Sequence, residues 1–478
     1  MSKNDPSGFY ANMTWPGGGG DWNAFLANWQ FFKDVPLIVN YSSFACDKNW
    51  DYYEMESCSD FSRGFVEAQE GFNLRKVLEG ARENYAGEKR YVFDDIVPDK
   101  KFNVEDVTIM SDVGFDKTLV VIANIISLKE YRNSLKDEYG EELKEDQKEE
   151  FKEKVRENIE DKLENHRKKI FSIGPYREAL KDYYSSFNSN GNSNIVIAFD
   201  LGSSYKSTIR ADDKTLRLSR HIFKNTVIDF LNRNPEDMIK TNIEFHKEAE
   251  GMEGSENLLY PVPGSPDSPD TFIDNLKKMK EMEDIEDLAI PALGRVRDAE
   301  VVSKVIRGMK ETLDSEEVYI HGLGLGGLTN IPLAVVNRVD SLDVSTPWNR
   351  AFEYKLYHSV ISKDGEWLNG GISRNRKVKI KKEKAEYAEK FKECGCYTCR
   401  NFEIEDLVEM RKNGKNYAAK LLILRHNVNQ HKFLMKHCEE KMEEGGVENL
   451  VDFIEEKGGS YSDSFSKTFE NGSLENFT

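Results

Sequence analysis

Short apolar runs alternate with helical stretches through the second half of the chain. Five runs follow one another at intervals that leave room for a helix between most of them. They are NIVIAFD (194–200), LLYPVPG (258–264), LAIPALG (288–294), VYIHGLGLGG (318–327) and VDSLDV (339–344). An earlier run, VPLIVNYSSF (35–44), has the character of a buried strand. This rhythm indicates βα units around a parallel sheet.

The ends of these runs favour a barrel over the other α/β folds. Four of the five lead into Asp or Gly near the carboxyl end of the predicted strand, where barrel enzymes place substrate-binding groups. A doubly wound sheet fits less well because no G-x-G-x-x-G motif opens an early helix.

A Glu- and Lys-rich segment, residues 128–169, interrupts the strand pattern. Within it, apolar residues recur every four positions, which places them along one face of a helix. They are Phe151, Val155, Ile159 and Leu163. We therefore expect an exposed helical insertion here.

Three of the six cysteines lie within six positions, in ECGCYTCRNF (393–402). Together with a later histidine they complete a tetrahedral Zn²⁺ site without an open position, which makes the site structural rather than catalytic. The candidate ligands are Cys394, Cys396, Cys399 and His426. Competitors for the fourth position are His431 and His437. The alternative is three reduced cysteines without a metal.

These features define the domain organisation. The predicted fold class is α/β, a (β/α)₈ TIM barrel with an inserted zinc-binding subdomain. The predicted segments are an irregular lead-in at 1–34, the catalytic barrel at 35–355 with the insertion 128–169, the zinc subdomain at 356–440 and a tail at 441–478.

The formal net charge of -18 repels nucleic acid at long range, so a polyanion has to meet a local basic surface. The segment ISRNRKVKIKKEK (372–384) provides one, immediately before the cysteines. Its candidate nucleic-acid-binding residues are Arg374, Arg376, Lys377 and Lys379. The alternative is an ordinary solvated strand or loop. No apolar run approaches the roughly 20 residues of a membrane span, and the N-terminus lacks the features of a secretory signal, so we expect a cytoplasmic protein without a membrane partner.

The cysteine pattern followed by a histidine before Asn resembles the zinc motif of the tRNA-guanine transglycosylases. The two parts read CGCYTC and RHN in this chain. Further segments resemble that family in the same order: IMSDVGFDK (109–117), IFSIGPYREAL (170–180), NIVIAFDLGSSY (194–205) and RVDSLDVSTPWNRA (338–351). The resemblance covers most of residues 105–440. It implies a pentosyltransferase that exchanges guanine in a polynucleotide.

The same resemblance implies roles for individual residues. Asp343 corresponds to the catalytic nucleophile and Asp112 to a second catalytic carboxylate. The implied substrate-binding residues are Asp200, Phe115, Gly264 and Gly294. His321 is either a substrate contact or a satisfied core histidine.

The chemistry of base exchange needs these residue types. Breaking a glycosidic bond at C1′ passes through a cation-like transition state, which a carboxylate on the opposite face can trap covalently. A second carboxylate near the base edge can move the proton that the departing base gains and the incoming base loses. The target base has to leave its stack, and an aromatic side chain can then pack against it.

Departures from the family pattern change the expected substrate. Val113 and Gly114 stand where the family has Ser-Gly-Gly, Asp116 stands in place of a Gln, and Pro263 replaces a base-contacting Gln. The chain therefore resembles the DNA-guanine transglycosylases of bacterial and phage 7-deazaguanine systems more than a housekeeping enzyme. We expect exchange of guanine in DNA for a 7-deazaguanine such as 7-cyano-7-deazaguanine.

Two alternatives stay open at this point. In the first alternative, the polymer is tRNA instead of DNA. In the second, the chain is a catalytically inactive zinc-containing barrel that binds nucleic acid and assists a partner protein. The sequence does not decide between a monomer, a homodimer and a complex with a partner protein.

Overall fold

A computed structural model describes residues 9–12, 37–40, 109–112, 144–171, 196–197, 214–252, 258–368, 377–379, 393–456 and single positions between 463 and 469. Within these ranges it leaves out 166, 251, 266–267, 292, 294–295, 297, 315–317, 358–360 and 414–415.

Eight short parallel strands close into a barrel in which each strand pairs with its neighbours in chain order and the last pairs with the first. The strands are β1 (Phe9–Asn12), β2 (Leu37–Asn40), β3 (Ile109–Asp112), β4 (Val196–Ile197), β5 (Leu258–Pro261), β6 (Leu288–Ile290), β7 (Ile320–Gly322) and β8 (Ser341–Val344). The closed parallel barrel confirms the expected fold class. All eight carboxyl ends consequently meet at one mouth, where (β/α)₈ barrels place their active sites.

Helices follow most of the later strands. Those described are α1 (Lys148–Asn165), α2 (Arg167–Ile170), α3 (Lys214–Arg233), α4 (Pro235–Glu250), α5 (Asp270–Met282), α6 (Ala299–Leu313), α7 (Ile331–Val336), α8 (Thr346–Phe352), α9 (Tyr397–Asn401), α10 (Ile404–Lys412) and α11 (Asn416–Glu456). A 3₁₀ turn, Glu145–Gln147, precedes α1. Outside the barrel, β9 (Lys355–Tyr357) and β10 (Lys377–Lys379) pair antiparallel.

The later barrel strands are buried along almost their whole length. Every residue of β6, β7 and β8 is buried, and so is every residue of β5 except its first. Burial on both faces is the property of strands that lie between a barrel interior and a ring of helices, and it explains why these segments are continuous apolar runs.

The Glu- and Lys-rich insertion forms α1, and its predicted apolar face is buried. Phe151, Val155, Ile159 and Leu163 are each at most 2% exposed. The helix packs against α3, and Glu160 accepts a 3.0 Å ion pair from Arg233 of that helix. The insertion is therefore attached to the domain along an apolar face, with its charged face in solvent.

The structure differs from the predicted domain organisation at the lead-in and at the tail. The lead-in 1–34, expected to be irregular, contributes β1, which pairs with both β2 and β8. The tail expected from residue 441 begins inside α11, which continues to Glu456 across non-helical backbone at Gly445 and Gly446. The difference at β1 has a local cause, because the four residues FYAN are too short and too mixed to show a strand period.

None of the helices in the described ranges has both the length and the apolar character needed to cross a membrane.

Candidate active site and metal centre

Asp343 lies near the carboxyl end of β8, and its side chain is 1% exposed. The backbone N–H of Gly324, in the loop after β7, donates a 2.6 Å hydrogen bond to Oδ1 of this carboxylate. Gly326 donates from its N–H to the backbone carbonyl of Asp343 at 2.9 Å. Gly324 has φ +72°, a left-handed conformation in which glycine carries no steric penalty. The glycine-rich loop thus holds the carboxylate in a defined position.

A buried histidine faces the same carboxylate oxygen. Nε2 of His321, on β7, lies 3.5 Å from Oδ1 of Asp343. Its other ring nitrogen, Nδ1, is 2.8 Å from Oγ of Ser341, which in turn accepts a 2.7 Å hydrogen bond from the hydroxyl of Tyr319. A polar row of four side chains therefore runs across β7 and β8 to the predicted nucleophile.

Sequence reasoning missed Ser341 and Tyr319. The available signal was their spacing, because Ser341 and Asp343 lie two residues apart on one strand, and so do Tyr319 and His321 near the other. Residues two apart on a strand point to the same face. The register that places His321 beside Ser341 is visible only in the folded sheet.

Asp112 is the last residue of β3, where its Cα is paired with that of Asn40 at the end of β2. Asp343 is paired with Tyr10 of β1. The two aspartates thus lie toward the carboxyl ends of parallel strands in one barrel, with β1 and β2 between their strands. This placement agrees with a shared site at the barrel mouth.

Gly264 follows β5 and has a packing role in the structure. A Cβ at this position would lie 2.1 Å from Cδ1 of Phe272, so no side chain fits there. The preceding residue, Pro263, accepts a 2.8 Å hydrogen bond from the side chain of Asn275 through its carbonyl. The remaining site predictions, for Asp200, Phe115, Gly294, Arg374 and Arg376, lie outside the described residues.

Four buried side chains converge in the subdomain that follows the barrel. The ligand atoms of Cys394, Cys396, Cys399 and His426 all lie within 4.8 Å of one another. The Sγ atoms of Cys396 and Cys399 are 3.4 Å apart, and the three sulfurs lie 3.2 to 3.7 Å from Nδ1 of His426. Tetrahedral Zn²⁺, with bonds of roughly 2.3 Å to sulfur and 2.0 Å to nitrogen, requires separations of about 3.8 and 3.5 Å. The group therefore has the spacing and donor set for such an ion.

Local structure positions the cysteines. Cys396 is the N-cap of α9, and its Sγ accepts a 3.5 Å hydrogen bond from the backbone N–H of Cys399. Gly395 has φ +70°, which lets the chain turn sharply between the first two cysteines. Thr398 donates a 2.9 Å hydrogen bond to the carbonyl of Leu422 and so ties this turn to α11, the helix that carries the histidine.

Outer contacts select the ligand atoms. Nε2 of His426 lies 3.0 Å from the carbonyl oxygen of Tyr357 and donates to it, which leaves Nδ1 as the metal-facing nitrogen. The side-chain amide of Gln430 donates a 2.9 Å hydrogen bond to Sγ of Cys394. The competing histidines are used elsewhere: His431 bonds to the carbonyl of Asn427, and His437 lies between Glu440 and the carbonyl of Lys363.

The electrostatics of the cluster call for a cation. Hydrogen bonds from the Cys394 and Cys399 thiols lower the pKa of Cys396 well below its usual value. Burial raises the pKa of Cys399, and the neighbouring thiolates raise it further. Burial alone would lower the pKa of His426, but the adjacent thiolates outweigh it and raise that pKa to about 10. Three thiolates can coexist in this small volume only when a dication compensates their charge.

The basic segment lies next to this cluster. In β10, Lys377 is paired with Tyr357 and Lys379 with Lys355 across the two-stranded sheet. Tyr357 is the residue whose carbonyl holds His426. The described part of the basic run is thus one strand away from the candidate metal centre.

The comparisons agree with this geometry. The family model described as queuine tRNA-ribosyltransferase matches residues 162–459, which is more than half of the chain. The match includes the later barrel strands, the loop with Gly324, Asp343 and all four candidate metal ligands. No curated protein matches the chain.

Proposed function

The chain belongs to the queuine tRNA-ribosyltransferase family, and from that premise we propose that it exchanges guanine in DNA for a 7-deazaguanine base through a covalent intermediate on Asp343. Members of this family are pentosyltransferases that act on guanine in nucleic acid. The observation that carries the proposal is the position of Asp343. Its carboxylate lies toward the mouth of the barrel and is held by the Gly324 N–H inside the matched region.

The proposed reaction is a double displacement. A carboxylate oxygen of Asp343 forms a bond to C1′ while the C1′–N9 bond breaks, and the bonding electrons leave with guanine, which takes up a proton. The incoming base then loses its proton, its N9 attacks C1′, and Asp343 departs as a carboxylate. In this scheme Asp112 transfers the protons. Asp200 accepts from the amino and ring N–H groups of the purine, and Phe115 stacks on it.

Burial of Asp343 suits a nucleophile. A carboxylate from which water is excluded attacks without first shedding a hydration shell. The Gly324 N–H restricts its rotation, and positioning of this kind is a major source of catalytic rate. Among the described residues, these two features distinguish Asp343 from the many aspartates that lie on the surface.

The metal proposed for the cysteine cluster is Zn²⁺ in a structural role. When bound, it closes the subdomain by linking residues 394–399, at the start of α9, to α11 and supplies no open coordination position for chemistry. We propose that the basic strand β10 contacts phosphates, together with Arg374 and Arg376, which precede it in the sequence.

The preference for DNA is supported by the departures from the family pattern. Pro263 and the shortened segment after Asp112 remove groups that family members use around the base. A substrate different from the usual tRNA accounts for such changes, and tRNA is the alternative polymer. We extend the proposal to 7-cyano-7-deazaguanine as the incoming base.

The decisive experiment is base incorporation followed by nucleoside analysis. The purified protein is incubated with 7-cyano-7-deazaguanine and either duplex DNA, single-stranded DNA or tRNA, and the polymers are digested and analysed by mass spectrometry. A 7-deazaguanine deoxynucleoside from DNA supports the proposal, whereas modification of tRNA alone shows the alternative polymer. Nucleic-acid binding without exchange on any polymer would instead show an inactive zinc-containing barrel.

A further inference from the structure

Three of the four polar side chains in the row behind Asp343 are almost completely buried, and Tyr319 at its far end is partly buried. His321 and Ser341 are 0% exposed and Asp343 is 1% exposed. Burying three polar groups together is costly unless each has a defined partner. The contacts run from Tyr319 through Ser341 and His321 to Oδ1 of Asp343, at 2.7, 2.8 and 3.5 Å.

The direction of these contacts determines where the ring proton lies. The hydroxyl of Tyr319 donates to Oγ of Ser341, so the Ser341 hydroxyl is available to donate to Nδ1 of His321. An accepting Nδ1 leaves the proton of the neutral ring on Nε2, which faces Asp343. The opposite tautomer would place a nitrogen lone pair against a carboxylate oxygen between two buried side chains, which is electrostatically unfavourable.

This proton gives His321 a specific effect on the carboxylate. The Gly324 N–H donates a 2.6 Å hydrogen bond to Oδ1 from the loop, and Nε2 of His321 faces the same oxygen from β7 at 3.5 Å. The 2.6 Å hydrogen bond from Gly324 and the longer 3.5 Å polar contact from Nε2 of His321, which does not meet hydrogen-bond geometry, together restrict the position of the carboxylate. They also stabilise the negative charge that Asp343 carries before attack and regains when the covalent intermediate is released.

We propose that His321, oriented by Ser341, is a positioning residue that holds the Asp343 carboxylate for attack on C1′. The inference rests on the proposed function for the identity of the reaction. The contact itself is independent of that function, since it is a property of the folded barrel and can be measured without substrate.

The chain offers a matched pair of variants at this position. The amide of Gln reaches about as far as Nε2 of histidine, so His321→Gln keeps a donor facing Asp343. The amide of Asn lies near Nδ1, so His321→Asn keeps the contact with Ser341 but loses the one with Asp343. Both variants bury an amide of similar chemistry. A purely structural histidine would therefore tolerate them about equally.

The expected result is a difference in rate and not in binding. His321→Asn should slow formation of the covalent adduct by about 10²-fold, the effect of misplacing a reacting group by roughly 1 Å. His321→Gln should retain most of the wild-type rate, and the affinity for nucleic acid should be the same in both. Equal losses in the two variants, or a loss of affinity without a loss of rate, would overturn the inference.

A serine control tests the orienting step. Ser341→Ala removes the partner of Nδ1 and should lower the adduct rate, because the ring is then less well oriented. Ser303 is an equally buried serine on α6, where its Oγ accepts from Asn337. Ser303→Ala should cost stability without changing the rate per folded molecule. A rate loss in Ser303→Ala as large as that in Ser341→Ala would show that the effect comes from stability.

A spectroscopic measurement separates this inference from the proposed function. In a ¹⁵N–¹H spectrum that correlates ring nitrogens with ring protons, the His321 signals are identified by their absence in His321→Asn. We expect Nε2 to carry the proton and its resonance to shift in Asp343→Asn. A protonated Nδ1 with an unprotonated Nε2 would overturn the inference even if exchange is normal. If instead no polymer is modified but the expected tautomer and shift are seen, the proposed function fails and the contact stands.

Discussion

Asp343 carries a role in the proposed reaction that its neighbours cannot supply, and Asp343→Asn separates that role from folding. The amide oxygen of Asn can still accept from the Gly324 N–H, and the volume is nearly unchanged. We expect the variant to fold, to bind metal and to bind nucleic acid, but to form no covalent adduct with DNA. Denaturing electrophoresis of the trapped complex measures the adduct, and thermal unfolding measures the fold.

Asp112→Asn is the matched comparison. It should still permit attack at C1′ but slow exchange by about 10²- to 10⁴-fold, because proton transfer makes a contribution of that size. Normal base exchange by Asp343→Asn would refute the assignment of the nucleophile, whatever the behaviour of the Asp112 variant.

Gly264 illustrates how packing and function can be separated at one position. A methyl group in Gly264→Ala would collide with the ring of Phe272, and overpacking of this kind costs about 1–3 kcal/mol. Gly327→Ala is the control, since the nearest atom to its added Cβ is 3.9 Å away, at Asn330. Chemical denaturation should show a lower free energy of unfolding for Gly264→Ala and an unchanged one for Gly327→Ala. Unchanged stability together with lost base binding would show that Gly264 contacts substrate instead.

The sequence predicts which residues form a site when those residues lie close together along the chain. The spacing of Cys394, Cys396 and Cys399 predicts a metal centre by itself, and the structure brings these residues together with His426 in a group that could hold a metal ion. The partnership of His321 with Ser341 and Asp343 depends on the register of two strands some twenty residues apart. That register is a property of the closed sheet, so no local pattern could have specified it.

At the scale of elements, long amphipathic patterns were predictable and short strands were not. The four-residue period of α1 extends over its whole length and correctly predicted which side chains are buried. β1 has only four residues and receives its strand conformation from pairing with β2 and β8. Tertiary pairing thus supplied what β propensity could not.

The candidate metal centre makes a prediction about the elements it joins. Cys396→Ala should abolish stoichiometric zinc and destabilise the segment from α9 to α11, since closed zinc sites contribute directly to folding. Elemental analysis and limited proteolysis measure the two effects. Cys438→Ala is the matched control, because this thiol is equally buried but lies outside the cluster. It should keep one zinc per chain.

Two results would contradict the assignment. Wild-type protein without bound zinc would show that the cluster serves another purpose, and full zinc content in Cys396→Ala would show that the cysteine is not a ligand. Acidification should also release the metal, because protons compete for the thiolates and the imidazole that hold it.

At the scale of the whole molecule, the distribution of charge matters more than its sum. A protein with a net charge of -18 is repelled by a polyanion once the two approach within about a Debye length, so binding has to rely on a concentrated basic surface. The strand β10 places part of that surface next to the candidate metal centre. We therefore expect the barrel mouth to supply the chemistry and the subdomain to supply much of the affinity for the polymer.

The corresponding test replaces Arg374, Arg376 and Lys379 with Glu. Each phosphate contact contributes about 0.9 to the slope of log affinity against log salt for duplex DNA, so losing three should lower the slope by about 2.7 and weaken binding to all sequences alike. The matched control replaces three exposed lysines of the barrel helices with Glu, which changes the net charge by the same amount. They are Lys240, Lys277 and Lys278. Binding titrations at several salt concentrations measure the affinity and the salt slope of both variants. If the control weakens binding as much as the test variant, the effect is a general repulsion, and the basic run is an ordinary solvated surface.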